Sequence, residues 1–111
     1  MQTIGWDDFT RVEMRVGTII SVQVNSKAKK PAYIIDVDLG ELGVKRSSAQ
    51  VTVNYTPEYL VGKCVLCVCN FEAKRIAGIK SEVLITGAPD ESGAIVLAEF
   101  NLPLPNGALL A

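Results

Sequence analysis

The sequence predicts an all-β fold, a small five-stranded Greek-key barrel with one short helix between the third and fourth strands. Three observations carry this. From Met14 onward, apolar residues recur at every second position. After three such runs a helix signature intervenes, from Thr56 to Gly62. Two further apolar runs follow it, and Gly17 inside the first run suits the bend or bulge that a tightly curved sheet needs.

Each element has a local cause. Asp7 to Glu13 reads as one helical turn, with Asp7 or Asp8 as cap and Phe9 and Val12 on one face. The first strand starts at Met14. Its period of two puts Val16, Thr18, Ile20, Val22 and Val24 on one side, and Arg15, Gly17, Ile19, Ser21 and Gln23 on the other. Gly17 predicts a bend or bulge there. A basic loop follows, Asn25 to Pro31, carrying Lys27, Lys29 and Lys30. In the second strand Tyr33, Ile35, Val37 and Leu39 alternate with Asp36 and Asp38, and Gly40 to Gly43 turns the chain. The third strand spans Val44 to Val51. Thr56 then caps a helix with Pro57 at its first position, and Gly62 ends it. Cys64 to Phe71, apolar on both faces, is a central fourth strand. The fifth runs from Ser81 to Gly87.

Three strands, a helix and two strands is the order of an oligonucleotide/oligosaccharide-binding (OB) barrel. The chain reads as one domain, 1–111, with an N-terminal helical turn (1–13), the barrel (14–88) and a β extension (89–111). The extension holds a short apolar strand, Ala94 to Ala98, and a turn at Asn106-Gly107. It exceeds what the barrel needs. Left open it would form an apolar patch of the kind that marks an interface, so a subunit interface is expected there. The apolar fraction, 49%, points the same way.

Composition narrows the function. There is no histidine, which removes the usual general base, zinc ligand and partner of a Ser or Cys nucleophile. The three cysteines lie in one run, Cys64, Cys67 and Cys69, and read as small core hydrophobes rather than a metal site or disulfide. No enzyme, cofactor or metal is expected. The net charge is −1, so any attraction for phosphate must come from local patches. Reduced thiols, no basic and apolar leader, and no run long enough to span a membrane lead us to expect a cytoplasmic location without membrane insertion.

The patch that stands out surrounds Ile76-Ala77-Gly78-Ile79, where Lys74, Arg75 and Lys80 cluster; no Lys or Arg follows Lys80. These cations suit phosphates, or carboxylates and carbonyls of a bound polypeptide. The alternative is a solvated loop partly neutralised by Glu72 and Glu82. Lys27, Lys29 and Lys30 form a second patch, equally readable as solvated. Ser48 and Gln50 share a strand face and can hydrogen-bond an extended ligand or merely cover the sheet; Ser47 faces the other way. Ser81 lies beside the cationic loop. Phe71 is a greasy anchor or a core residue, and Tyr33 lines a groove or fills the barrel. Arg15 is a weaker candidate. Trp6 reads as a packing lid or interface plug.

With these residues in hand, Asp7-Asp8-Phe9 and Glu13 to Ile19 resemble the opening of the tRNA-binding-domain family. That family includes stand-alone bacterial tRNA-binding proteins and an appendage of some methionyl-tRNA synthetases. Lys30 to Tyr33, Ser47 to Thr52, Asn70-Phe71, Arg75 to Leu84 and Pro103 to Gly107 resemble its branch of protein-export chaperones. The resemblance implies a cytosolic homodimer, with the extension in the interface. It also implies binding of unfolded or pre-secretory polypeptides and contact with the export ATPase. tRNA is the alternative ligand. Two stretches depart from the tRNA-binding relatives: Ser26 to Tyr33, where those tend to carry Asn-Ala-Asp-Lys-Leu, and Glu82-Val83, where those have Gly-Met.

Overall fold

The computed structural model describes residues 1–111. A short helix α1 (Trp6–Thr10) leads into β1 (Met14–Val24), β2 (Tyr33–Asp38) and β3 (Val44–Ala49). Helix α2 (Pro57–Leu60) precedes β4 (Cys64–Val68). Then come β5 (Lys74–Ile76), β6 (Ile79–Ser81), β7 (Leu84–Ile85), β8 (Gly87–Pro89) and β9 (Ile95–Leu97). The main sheet has the order β3-β2-β1-β4-β7, antiparallel throughout. Its two edges nearly meet. The Glu82 N–H donates to the Arg46 carbonyl at 2.7 Å, and the Ser48 N–H to Ser81 Oγ at 3.0 Å. The fold is thus the expected five-stranded, nearly closed barrel.

Strand β1 holds it together by serving two neighbours in succession. Met14 to Thr18 pair with Val68 to Cys64, and Thr18 to Val24 pair with Asp38 to Tyr33. The change of partner needs a bulge, and the register slips between Ile19 and Ser21. The bulge corrects the expected facing of this strand. Ile19, assigned to the polar side, is fully buried, whereas Ile20 and Val24 are exposed. A strict period of two cannot survive one inserted residue. Gly17 is not the bulge. It is glycine because β2 comes too close: an added Cβ would lie 2.4 Å from Val37 Cγ1.

The core gathers Ile19, Ile35, Val37, Leu39, Leu60 and Val65, all fully buried. Burying one such side chain is worth roughly 1.5–3 kcal/mol. Helix α2 contributes Leu60 to it. Its cap forms as predicted, with the Tyr59 N–H donating to Thr56 Oγ1 at 3.2 Å and Pro57 at the first position. At α1 the cap is Gly5 rather than Asp7 or Asp8. Asp8 instead accepts the Gly5 N–H at 3.0 Å.

Other boundaries shift. The third strand stops at Ala49 and the fourth at Val68, leaving Phe71 in an exposed loop. The expected fifth strand, Ser81 to Gly87, is broken into the end of β6, β7 and the start of β8. Strand β8 pairs with β9 in a separate hairpin. It is closed by Asp90, whose Oδ1 accepts the N–H groups of Ser92 and Ala94. The tail then returns to β1. Gly107 N–H donates to the Val16 carbonyl, Val16 N–H to Ala108 and Leu110 N–H to Met14, at 2.7–2.9 Å. Here the Asn106-Gly107 turn forms as expected, and Gly107 has φ 90°. No helix is long and apolar enough to cross a membrane.

Candidate functional site

The cationic loop is a β-hairpin. Ala77 at φ 47° and Gly78 at φ 86° make the two-residue turn that matches strand twist. The register sets Lys74 opposite Ser81, Arg75 opposite Lys80, and Ile76 opposite Ile79. Residues directly opposite share a face, and successive pairs alternate faces. The cluster of three cations is therefore split. Lys74 points with Ile76 and Ser81 to one side, and Arg75 and Lys80 to the other.

The Lys74 side borders a groove of about 420 Å³. Ser47 and Ser48 of β3 and Val83 and Leu84 at β7 line it, together with Lys74, Ile76 and Ser81 of the hairpin and the neighbouring Phe71, Glu72 and Glu82. Phe71 is 58% exposed, so it is a surface residue and not a core residue. Below Ser48 the barrel seam stays open, because β3 and β7 are not hydrogen-bonded neighbours. A second recess of about 330 Å³ continues along that seam, between Ser48-Ala49-Gln50 and Leu84 to Gly87. The two recesses share Ser47, Ser48 and Leu84. The two recesses lie side by side, lined by apolar groups and by the hydroxyl and amide groups of Ser48 and Gln50.

The two basic patches, separate in sequence, meet at the hairpin tip. Asn25 is buried and ties the loop to the turn: its Oδ1 accepts the Lys27 N–H at 3.1 Å, and its Nδ2 donates to the Ala77 carbonyl at 3.4 Å. Lys27 lies against Gly78, with its Cδ 3.2 Å from where a Cβ would stand. Lys27, Lys29, Lys30, Lys74, Arg75 and Lys80 are all exposed. The ion pairs use other cations: Arg15 with Glu13, Lys45 with Glu82, and Arg46 with Asp36. Glu82 lies 3.6 Å from Lys45 and makes no ion pair with the hairpin cations.

Several candidates have other roles. Tyr33 is buried in the barrel and donates its hydroxyl to the Tyr55 carbonyl at 2.7 Å, so it lines no groove. A strand position whose neighbours Ile35 and Val37 are core is core itself. Ser47 is buried beneath the groove. Arg15 is held by Glu13 at 2.6 Å and donates to the Gly107 carbonyl at 2.8 Å, which fastens the tail. Trp6 is 69% exposed and its ring stands 5.1 Å from Phe9. Ile76, Val83 and Leu84 were missed as groove residues. The signal for Ile76 was its two-residue spacing from Lys74, once the segment is read as a strand.

The Arg46 guanidinium, 2.9 Å away, holds Asp36 below the usual carboxylate range, and the Ser21 hydroxyl adds to this against the effect of burial. Burial pushes the Cys67 thiol up to about 12, so it stays protonated as a core group.

Residues 14–109 match the family tRNA_bind, described as a tRNA binding domain. The methionine–tRNA ligase of Methanococcus aeolicus is 35% identical over 104 residues, covering 94% of this chain and 15% of the ligase. That of Listeria innocua is 33% identical over 105 residues, covering 95% of this chain and 16% of the ligase. The chain thus spans only about a sixth of these relatives. Among solved structures, the chaperone CsaA from Bacillus anthracis superposes with a TM-score of 0.92 at 42% identity, covering 99% of this chain and 100% of that one. CsaA from Picrophilus torridus gives 0.90 at 37%, covering 98% and 100%. The barrel, its cationic hairpin and these matches together make the chain a member of the tRNA-binding-domain family.

Proposed function

We propose that the chain is a non-enzymatic, CsaA-like chaperone of the cytoplasm. It binds unfolded or pre-secretory polypeptides as a homodimer and hands them to the export ATPase. The observation that carries this is the pair of adjoining recesses along the barrel seam. Phe71, Ile76, Val83 and Leu84 offer apolar contact, and the side chains of Ser48 and Gln50 offer hydrogen bonds where β3 and β7 are not paired. An extended chain is the ligand that uses both, by main-chain pairing and alternate side-chain pockets. The end-to-end likeness to CsaA structures supports it. Two such grooves in a dimer gain through effective concentration. The test is titration with a reduced, carboxymethylated protein labelled with a fluorophore. Saturable binding at micromolar concentration is expected. No binding at several hundred micromolar overturns the reading.

A second reading, structure-specific tRNA binding, is favoured by the exposed cations Arg75 and Lys80 on one hairpin face, with Lys27 against the turn, and by the family match. Gel retardation of tRNA checks it. Affinity should fall steeply with salt as phosphates release counterions.

A further inference from the structure

The hairpin has two unlike faces, and the difference bears on where each ligand sits. Resting on the tRNA reading above, we infer that Arg75 and Lys80, with Lys27 at the hairpin tip, form an RNA phosphodiester site separate from the polypeptide groove.

The register supplies the first reason. Arg75 and Lys80 are directly opposite on an exposed two-stranded ribbon. Like charges so placed repel, with Cα atoms about 4.5–5.5 Å apart. No acid of the chain pairs with either of them. The cost is removed by an anion held between them, and the planar guanidinium fork of Arg75 suits a phosphate bidentately.

The second reason is the line the cations follow. The Arg75 guanidinium reaches back to the Gly78 carbonyl, at 3.5 Å. Lys27 flanks the same glycine, its Nζ 3.7 Å from where a Cβ would stand. Asn25, buried and bonded to both the loop and the turn, fixes that arrangement. The positive charge runs along the ribbon to its tip instead of converging on one point. A single carboxylate neutralises one such cation. A chain of evenly spaced phosphates neutralises the line.

The opposite face excludes the same ligand. Lys74 is the one cation lining the groove, among Glu72, Phe71, Ile76 and Leu84. That mixture suits an uncharged, greasy chain and offers little to a polyanion.

The experiment compares two double variants of exposed residues, Arg75→Gln with Lys80→Gln, and Phe71→Ser with Leu84→Ser. Circular dichroism and a thermal melt establish that each folds. Binding of bulk tRNA and of labelled carboxymethylated polypeptide is then measured for each. The charge variant should lose roughly tenfold or more in tRNA affinity, and its slope of log affinity against log salt should flatten by about two. Its polypeptide affinity should stay within about twofold of wild type. The groove variant should show the reverse. Saturating tRNA should leave polypeptide bound. A charge variant that retains the tRNA affinity and salt slope overturns the site and leaves the tRNA reading standing. Equal loss of both ligands in either variant overturns the separation. A wild-type protein that retards no tRNA overturns the tRNA reading and the site with it.

Discussion

A Cβ built on Gly17 would stand 2.4 Å from Val37 Cγ1 and 2.8 Å from Leu39 Cδ2, inside van der Waals contact with two fully buried side chains. Neither neighbour has free space to yield, since both belong to the core cluster. Gly17→Ala should therefore destabilise the fold by about 1–3 kcal/mol, the usual cost of overpacking, read as a lower urea midpoint at unchanged slope. Asp36 makes a different residue-scale case. Arg46 and Ser21 hold its carboxyl below the ordinary range, so the native state binds a proton less readily than the unfolded chain. Its stabilisation is present above the unfolded value, near pH 4, and is lost as pH falls through the lower folded value. The guanidinium is partly exposed, which makes the effect modest and salt-sensitive. Urea midpoints taken from pH 6 to pH 2.5 should fall more steeply for wild type than for Asp36→Asn below about pH 4. Parallel curves would show that the pair contributes nothing.

At the scale of elements, the hairpin β5–β6 carries the proposed site and also a local strain. Ala77 is the one residue other than glycine at positive φ. A non-glycine side chain there costs about 1–2 kcal/mol, and asparagine tolerates the position best. Ala77→Asn should recover about 0.5–1 kcal/mol, raising Tm by roughly 4 °C in a calorimetric scan. A lower Tm would mean that the turn geometry is held by its contacts with Asn25 rather than by its own backbone. The same element shows what the sequence could and could not disclose. The apolar alternation in Tyr33 to Leu39, the Thr56-Pro57 cap and the Asn106-Gly107 turn are local signals, and each formed where expected. The split of Lys74 from Arg75 and Lys80 depends on reading a two-residue turn, which also is local, but only if the segment is taken as a strand. The meeting of Lys27 with Gly78 is not local at all. It joins residues far apart in sequence through Asn25, and no periodicity records it. The exposure of Phe71 likewise follows from β4 ending at Val68, a boundary set by pairing with β1. Ile19 shows the same limit, because a bulge needs two partners before it has a cause.

At the scale of the whole molecule, the segment after the barrel is firmly seated yet leaves apolar groups in water. Backbone hydrogen bonds to Met14 and Val16 fasten residues 107 to 110, and Arg15 adds a side-chain bond to Gly107. Leu102, Leu104 and Leu109 remain exposed nevertheless. Ile4 and Trp6 are also exposed and line a recess with Phe9 and Ala111. A flexible tail could hide such residues by folding back on itself. This one is held by β1 and cannot, so the surface suits a second copy of the chain. The proposed homodimer then has a direct consequence. Sedimentation equilibrium at micromolar concentration should give twice the 11.9 kDa of one chain. Leu102→Asp combined with Leu109→Asp should shift it to the monomer, because a desolvated carboxylate in an apolar contact costs several kcal/mol. Both side chains point to water in the single chain, so the variant should keep its circular dichroism and melt cooperatively. Its polypeptide affinity should drop towards that of one groove, since the gain from joining two sites disappears with the interface. A wild-type protein that sediments as one chain while still binding polypeptide with the same strength would remove the dimer from the mechanism and leave the groove as the whole of the binding device.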